Sequence, residues 1–187
     1  MAEPIADFKP YIAPEETVKE FTPRAVLLGS AFGVLFGAAS VYLALKSGLS
    51  VSASIPVAVL AISLGRKFLN TTILENNIIQ TTASAGESIA AGVVFTLTGF
   101  LFLSSTENGG ESIGTSYFNY WTIFILAVLG GMLGTLMMIP LRRSLIVKEH
   151  GNLPYPEGTA CASVLIAGDK GGDFAKTAYQ GLGFAML

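Results

Sequence analysis

Histidine and cysteine are nearly missing from this sequence: its 187 residues contain one of each. A lone Cys161 excludes an internal disulfide. A lone His150 excludes the His clusters that hold zinc or haem, and it reads as a loop residue beside Glu149 and Gly151. Charge is scarce as well. Asp, Glu, Lys and Arg make up 13% of the chain, about half the share of an ordinary soluble domain. The net charge of −2 leaves no basic surface for a nucleic acid. There is no P-loop, no GxGxxG after a strand, no HExxH, no CxxC and no GxSxG elbow. No metal site and no cofactor are therefore expected, and an enzyme is the weakest of the available readings.

What the chain does have is apolar sequence and glycine. Hydrophobic residues make up 51% of it, and its 21 glycines suit membrane helices better than soluble ones. A bilayer core takes about 20 apolar residues per helix. Residues 25–45, 47–65 and 112–141 hold no charge, and 76–106 hold only Glu87. This pattern predicts an all-α fold, a polytopic transmembrane bundle whose partner is the lipid bilayer. Four full spans are expected near 25–45, 48–65, 78–103 and 119–141. A re-entrant or broken fifth element covers 154–167, and a sixth starts near 176. Pro56 marks the second span as kinked or broken. Residues 1–24 carry eight charges and four prolines and read as an irregular tail rather than a secretory leader, so 25–187 form the membrane region.

Basic residues set the expected orientation. Lys9, Lys19 and Arg24 precede the first span, Arg66 and Lys67 follow the second, and Arg142, Arg143 and Lys148 follow the fourth. The loop at 104–118 has Glu107 and Glu111 but no Lys or Arg, and only Lys46 breaks the alternation. The N-terminus is then expected in the cytoplasm, with the protein multi-pass in the cytoplasmic membrane.

Three features stand out inside the spans. Gly29, Gly33 and Gly37 recur every four residues, a strip that lets two helices approach closely in lipid. Eight of the thirteen residues in 76–88 are polar, and they run straight into an apolar stretch. Asn76, Asn77, Gln80, Thr81, Ser84, Glu87 and Ser88 belong to this set. At helical spacing Gln80, Ser84 and Ser88 align with Gly92 and Thr96. A polar face at membrane depth must look toward protein or water. A carboxyl group at the bilayer centre costs about 2.5–3.5 kcal/mol. Glu87 is thus either a functional proton carrier, or a group near the cytoplasmic end that is hydrated or bonded to Ser84 and Thr82. Glu75 reads as an interfacial charge. The third feature is a break at Pro154 and Pro156, which flank Tyr155 and precede Glu157, Gly158 and Thr159. It opens either a discontinuous segment of the kind that lines transporter sites, or an ordinary loop before a helix interrupted at Gly168 and Asp169.

Two of these segments carry a resemblance. Residues 75–88 (ENNIIQTTASAGES) resemble the third-helix region of the oligopeptide transporter superfamily, and 153–162 (LPYPEGTACA) resemble its PYPEGTA signature. Both follow the bacterial and yellow-stripe-like branch more than the fungal one. The similarity runs from about Phe21 to the C-terminus. It implies proton-coupled symport of small peptides or of metal complexed to amino-acid-derived chelators. Gln80, Glu87, Tyr155 and Glu157 are carried over as route-lining candidates, with the proton as coupling ion. Typical members are several times longer, so a fragment, a truncated frame or a chain completed by the remaining spans or by a further copy is expected. A non-catalytic membrane scaffold is the alternative; it explains the glycine strip but not the polar cluster.

Overall fold

The computed structural model describes residues 10–13, 15–65, 69–103, 113–149, 152–171, 177, 180, 181, 183 and 184. Arg66, Lys67, Glu107, Glu111, His150 and most of the expected sixth element lie outside them. Among the described residues there are five α-helices and no strand: α1 (Pro23–Ser47), α2 (Ser54–Leu64), α3 (Ile73–Phe100), α4 (Tyr120–Leu141) and α5 (Pro156–Lys170). Among the described residues three helices are long and apolar enough to cross a membrane: α1, α3, and α4 with its extension to Lys148.

Each boundary has a local cause. Thr22 caps α1 by accepting from the Ala25 N–H, Pro23 occupies the first helical position, and Gly48 ends the helix at a φ of 71°. Thr72 and Glu75 form a reciprocal capping box at the start of α3. Glu75 thus has a structural task beyond a charge at a helix end. It is buried, and it also accepts from Thr22 Oγ1 at 2.6 Å, which ties the starts of α1 and α3 together.

α1 is built inside out relative to a soluble helix. It buries Ala25, Gly29, Gly33, Gly37, Ser40 and Ala44, while Leu27, Val34, Leu35 and Leu45 are exposed. Apolar groups facing outward suit lipid, and small residues facing inward suit close helix contact. A Cβ on Gly29 would lie 2.8 Å from Thr82 Cβ and 3.0 Å from the Ile79 carbonyl oxygen. One on Gly33 would meet Ala83 and Gly86 at 3.5–3.6 Å, and one on Gly37 would meet Ala90 Cβ at 3.4 Å. Residue numbers rise together on both helices, so α1 and α3 run parallel.

Two parallel neighbours require a return between them, and the expected second span supplies it in a different form. α2 has 11 residues, about 16 Å of helix against a hydrocarbon core of about 30 Å. Residues 49–53 are not helical. The count of four full helical spans is thus corrected to three, with the return shared between a non-helical stretch and a half-length helix. Pro56 does not kink this helix. It sits in the first turn, where its missing N–H has no intrahelical role.

α2 packs on α3 through Val57 and Ala83, and on α5 through Ala58, Ile62 and Leu165. Gly168 of α5 lies so close to Ile62 that a Cβ there would approach its side chain to 2.4–2.9 Å. α4 buries none of its residues. Tyr120, Trp121 and Phe124 cluster at its start, the arrangement of a membrane-interface belt. Pro140 lies near its end, and residues Arg142–Lys148 continue as a π-helix. A proline removes a backbone bond and loosens the ladder in this way.

Candidate functional site

Two half-length helices begin at the same depth along α3. Ser54, at the start of α2, bonds through Oγ to Ser84 Oγ at 2.8 Å. Glu157, in the first turn of α5, accepts from Ser52 Oγ, and Ser52 Oγ lies 3.0 Å from Ser54 Oγ. A chain of hydrogen bonds thus runs Glu157–Ser52–Ser54–Ser84 and joins α5, α2 and α3. Ser84 is the twelfth of the 28 residues of α3, close to its middle.

The electrostatics follow from the termini. Neither α2 nor α5 has a side-chain cap at its N-cap residue. Instead Ser52 Oγ accepts from the Ser54 N–H at 3.4 Å, and the Glu157 carboxylate lies in the first turn of α5. Helix N-termini carry partial positive charge, and an exposed acidic group there, such as Glu157, is stabilising by about 0.3–1 kcal/mol. One carboxylate serves both helices: its own directly, α2 through Ser52.

Beside this junction lies a cavity of about 670 Å³. Asn77, Gln80 and Thr81 of α3 line one wall, and Glu157, Gly158 and Cys161 of α5 line another. Buried Gln80 points its Nε2 at Cys161 Sγ across 3.7 Å. The lining among the described residues offers amides, hydroxyls, a thiol and one carboxylate, and no Lys or Arg. Beside apolar Ile73, Leu74, Leu165 and Ile166, such a set can hold a molecule that combines apolar groups with a few hydrogen-bonding ones. No group of three or more metal-ligating side chains forms among the described residues.

The remaining sequence candidates fall elsewhere. Glu87 is buried at the α1–α3 interface, where its Oε1 accepts from Ser40 Oγ at 2.9 Å. It is the fifteenth residue of α3, about 21 Å from the helix start, so it sits at mid-length and not near an end. Its partner is Ser40 rather than Ser84 or Thr82. Asn76 is buried and accepts from Thr71 Oγ1 at 2.6 Å, fixing the turn into α3. Ser88 faces a separate groove between α3 and α4. Tyr155 is exposed, and its hydroxyl donates to the Leu145 carbonyl at 3.0 Å within the π-helical segment. Thr159 bonds back to the Tyr155 carbonyl, an ordinary helical contact. Pro154 precedes the break, and Pro156 starts α5.

Ser52, Ser54, Ser40 and Cys161 were not among the sequence candidates. A signal for the first two exists: Ser50, Ser52, Ser54 and Pro56 form a helix-start pattern inside an uncharged run. Ser40 carries no such signal, because it becomes visible only when α1 and α3 are paired.

The family model described as OPT oligopeptide transporter protein matches residues 20–187. A Haemophilus influenzae protein named for oligopeptide transport is 39% identical over 128 residues, covering 68% of this chain and 18% of its own length. The iron-phytosiderophore transporter YSL15 of Oryza sativa subsp. japonica is 32% identical over 169 residues, covering 80% of this chain and 24% of its own. A Saccharomyces cerevisiae protein named for oligopeptide transport, YGL114W, is 28% identical over 159 residues, 79% and 22% of the two chains. The chain thus matches about a fifth to a quarter of the length of these relatives. No solved structure matches.

Proposed function

The chain belongs to the oligopeptide transporter family, and from that premise we propose that it forms part of the substrate path of a proton-coupled importer in the cytoplasmic membrane, with its N-terminus inside. The cargo is a short peptide or a metal chelate. Relatives named for oligopeptides and for iron-phytosiderophore support both. The observation that carries the reading is the junction of α2 and α5 on the middle of α3, beside a largely apolar cavity that also presents Asn77, Gln80, Thr81 and Glu157. Transporters place cargo at such helix breaks because half-helix ends present free backbone groups inside the membrane.

Two carboxylates have separate tasks in this reading. Glu157 meets the cargo at the junction. Glu87, sealed between α1 and α3 with Ser40, takes and releases the coupling proton. Neutralising Glu157 loosens two half-helices at once, whereas neutralising Glu87 leaves the cavity lining untouched. The test is uptake of a labelled tripeptide and of an iron chelate into vesicles with and without an inward proton gradient. Glu87→Gln is expected to retain downhill exchange and lose gradient-driven accumulation. Undiminished gradient-driven uptake by Glu87→Gln would remove it from the coupling route. A chain that never moves either cargo would favour the scaffold reading.

A further inference from the structure

The cavity already holds a piece of peptide. Pro10, Tyr11 and Ile12 of the N-terminal tail form part of its lining, although they lie more than forty residues before α2 and far from α5 in sequence. The tail is anchored at three points. The Tyr11 hydroxyl donates to Asp169 Oδ2 at 3.1 Å, Thr72 Oγ1 donates to the Lys19 carbonyl at 2.5 Å, and Thr22 Oγ1 donates to Glu75 at 2.6 Å. These contacts lead the chain from the end of α5 across to the starts of α3 and α1. Since α5 runs antiparallel to α3, exposed Glu157 marks the end of the cavity at the middle of α3. Ile73 and Ile166 mark its mouth, next to the tail.

Composition sets this segment apart. The family match begins at residue 20, so 10–12 lie before the matched region. Pro10 stiffens the backbone, Tyr11 supplies a ring with a hydroxyl donor, and Ile12 supplies an apolar side chain that is partly buried. The receiving surface matches in kind: Leu165 and Ile166 are apolar, and Asp169 at the rim accepts a hydrogen bond.

We propose that the cavity mouth is a binding subsite for a short peptide with an aromatic hydroxyl donor, occupied in cis by residues 10–12, which cover the cavity from the N-terminal side. This rests on the reading of the cavity as the cargo path, and it adds a subsite at Asp169 and a competitor built into the chain. A cargo entering or leaving by this mouth must displace the tail. The tail is a peptide of the same chemical kind as one of the two proposed cargoes, so the displacement is competitive.

The chain carries its own reporter. Cys161 is its one cysteine, is buried, and lines the cavity. Its alkylation by a small water-soluble maleimide in lipid nanodiscs reads access directly and requires no transport activity. Three proteins are compared: the full chain, the full chain with Tyr11→Phe, and a chain lacking residues 1–13, which keeps the Lys19 and Thr22 anchors. Tyr11→Phe is expected to speed alkylation by about two- to tenfold, the range that one net hydrogen bond supports. The deletion should speed it further. Adding acetyl-Pro-Tyr-Ile-Ala-amide to the deleted chain should slow alkylation again, and the same peptide with Phe for Tyr should need a higher concentration to do so. An unchanged rate after deletion would overturn the proposal, and so would an accelerated rate that the peptide fails to slow. A chain inactive in uptake but passing this test would refute the cargo path and leave the subsite standing.

Discussion

At the residue scale, two carboxylates, Glu87 and Glu157, are held among the described residues by hydroxyls and not by cations. Glu87 rests on Ser40, and Glu157 on Ser52. A hydroxyl can donate to a carboxylate and can also accept from a protonated carboxyl, so the same serine can partner either form. Truncating the donor removes that flexibility. Ser40→Ala leaves a buried carboxyl oxygen without its partner, a loss of about 1–3 kcal/mol. Thermal unfolding in detergent should show that loss, and Glu87→Gln combined with Ser40→Ala should recover part of it. Glu157→Gln is expected to lower uptake by about tenfold, because it removes the charge that faces two helix N-termini. Tyr155→Phe removes only the bond to the Leu145 carbonyl and should leave cargo affinity unchanged. Cargo affinity read by competition in vesicles separates the two. The charged candidates were legible in sequence because a carboxylate in an apolar run stands out. Their serine partners were not, because a serine is common in membrane helices and acquires meaning only from the helix opposite it.

At the element scale, glycine spacing and chain breaks did different work. The strip at Gly29, Gly33 and Gly37 was readable as a packing face, and the partner it receives, α3, was not. The contact is closest at Gly29 and relaxes toward Gly33. A graded series follows. Gly29→Ala pushes a methyl group into Thr82 and the Ile79 carbonyl and should cost about 1–3 kcal/mol, the usual range for overpacking. Gly33→Ala meets ordinary contact distances and should cost less. Gly92→Ala and Gly130→Ala meet nothing within 4 Å and should not lower the melting temperature in this chain, and the better helix propensity of alanine should raise it slightly. Equal shifts across the series would contradict the α1–α3 register. The break before α2 was harder to read. The uncharged run 47–65 is continuous, so hydropathy reports one span where there are two conformations. The Pro154–Pro156 break was easier, since two prolines around Tyr155 forbid a helix there and favour one starting immediately after.

At the scale of the whole molecule, α1 and α3 form a parallel pair, and α2 and α5 descend together against α3 from its middle toward its start. α2 leads the chain from the middle of α3 back toward its start, the side on which the N-terminal tail lies. Lys19 and Arg24 then lie on the same side as the start of α3, where the tail is tied down. Placing that side in the cytoplasm predicts that an epitope before Pro10 resists external protease in intact cells and is cut after permeabilisation. Cleavage in intact cells would invert the topology. α4 stands apart, with apolar side chains exposed all round, and its tie to the rest passes through contacts such as Gly131 with Ile89. It contributes nothing to the cavity, whose lining comes from α2, α3, α5 and the tail. That cavity, set where two half-helices meet a polar face, is the claim on which the functional account stands. Saturable protection of Cys161 tests it most directly. Alkylation should slow as labelled tripeptide or iron chelate is added, with half-protection at the concentration giving half-maximal uptake. Uptake that saturates while Cys161 reacts at an unchanged rate would place the cargo elsewhere.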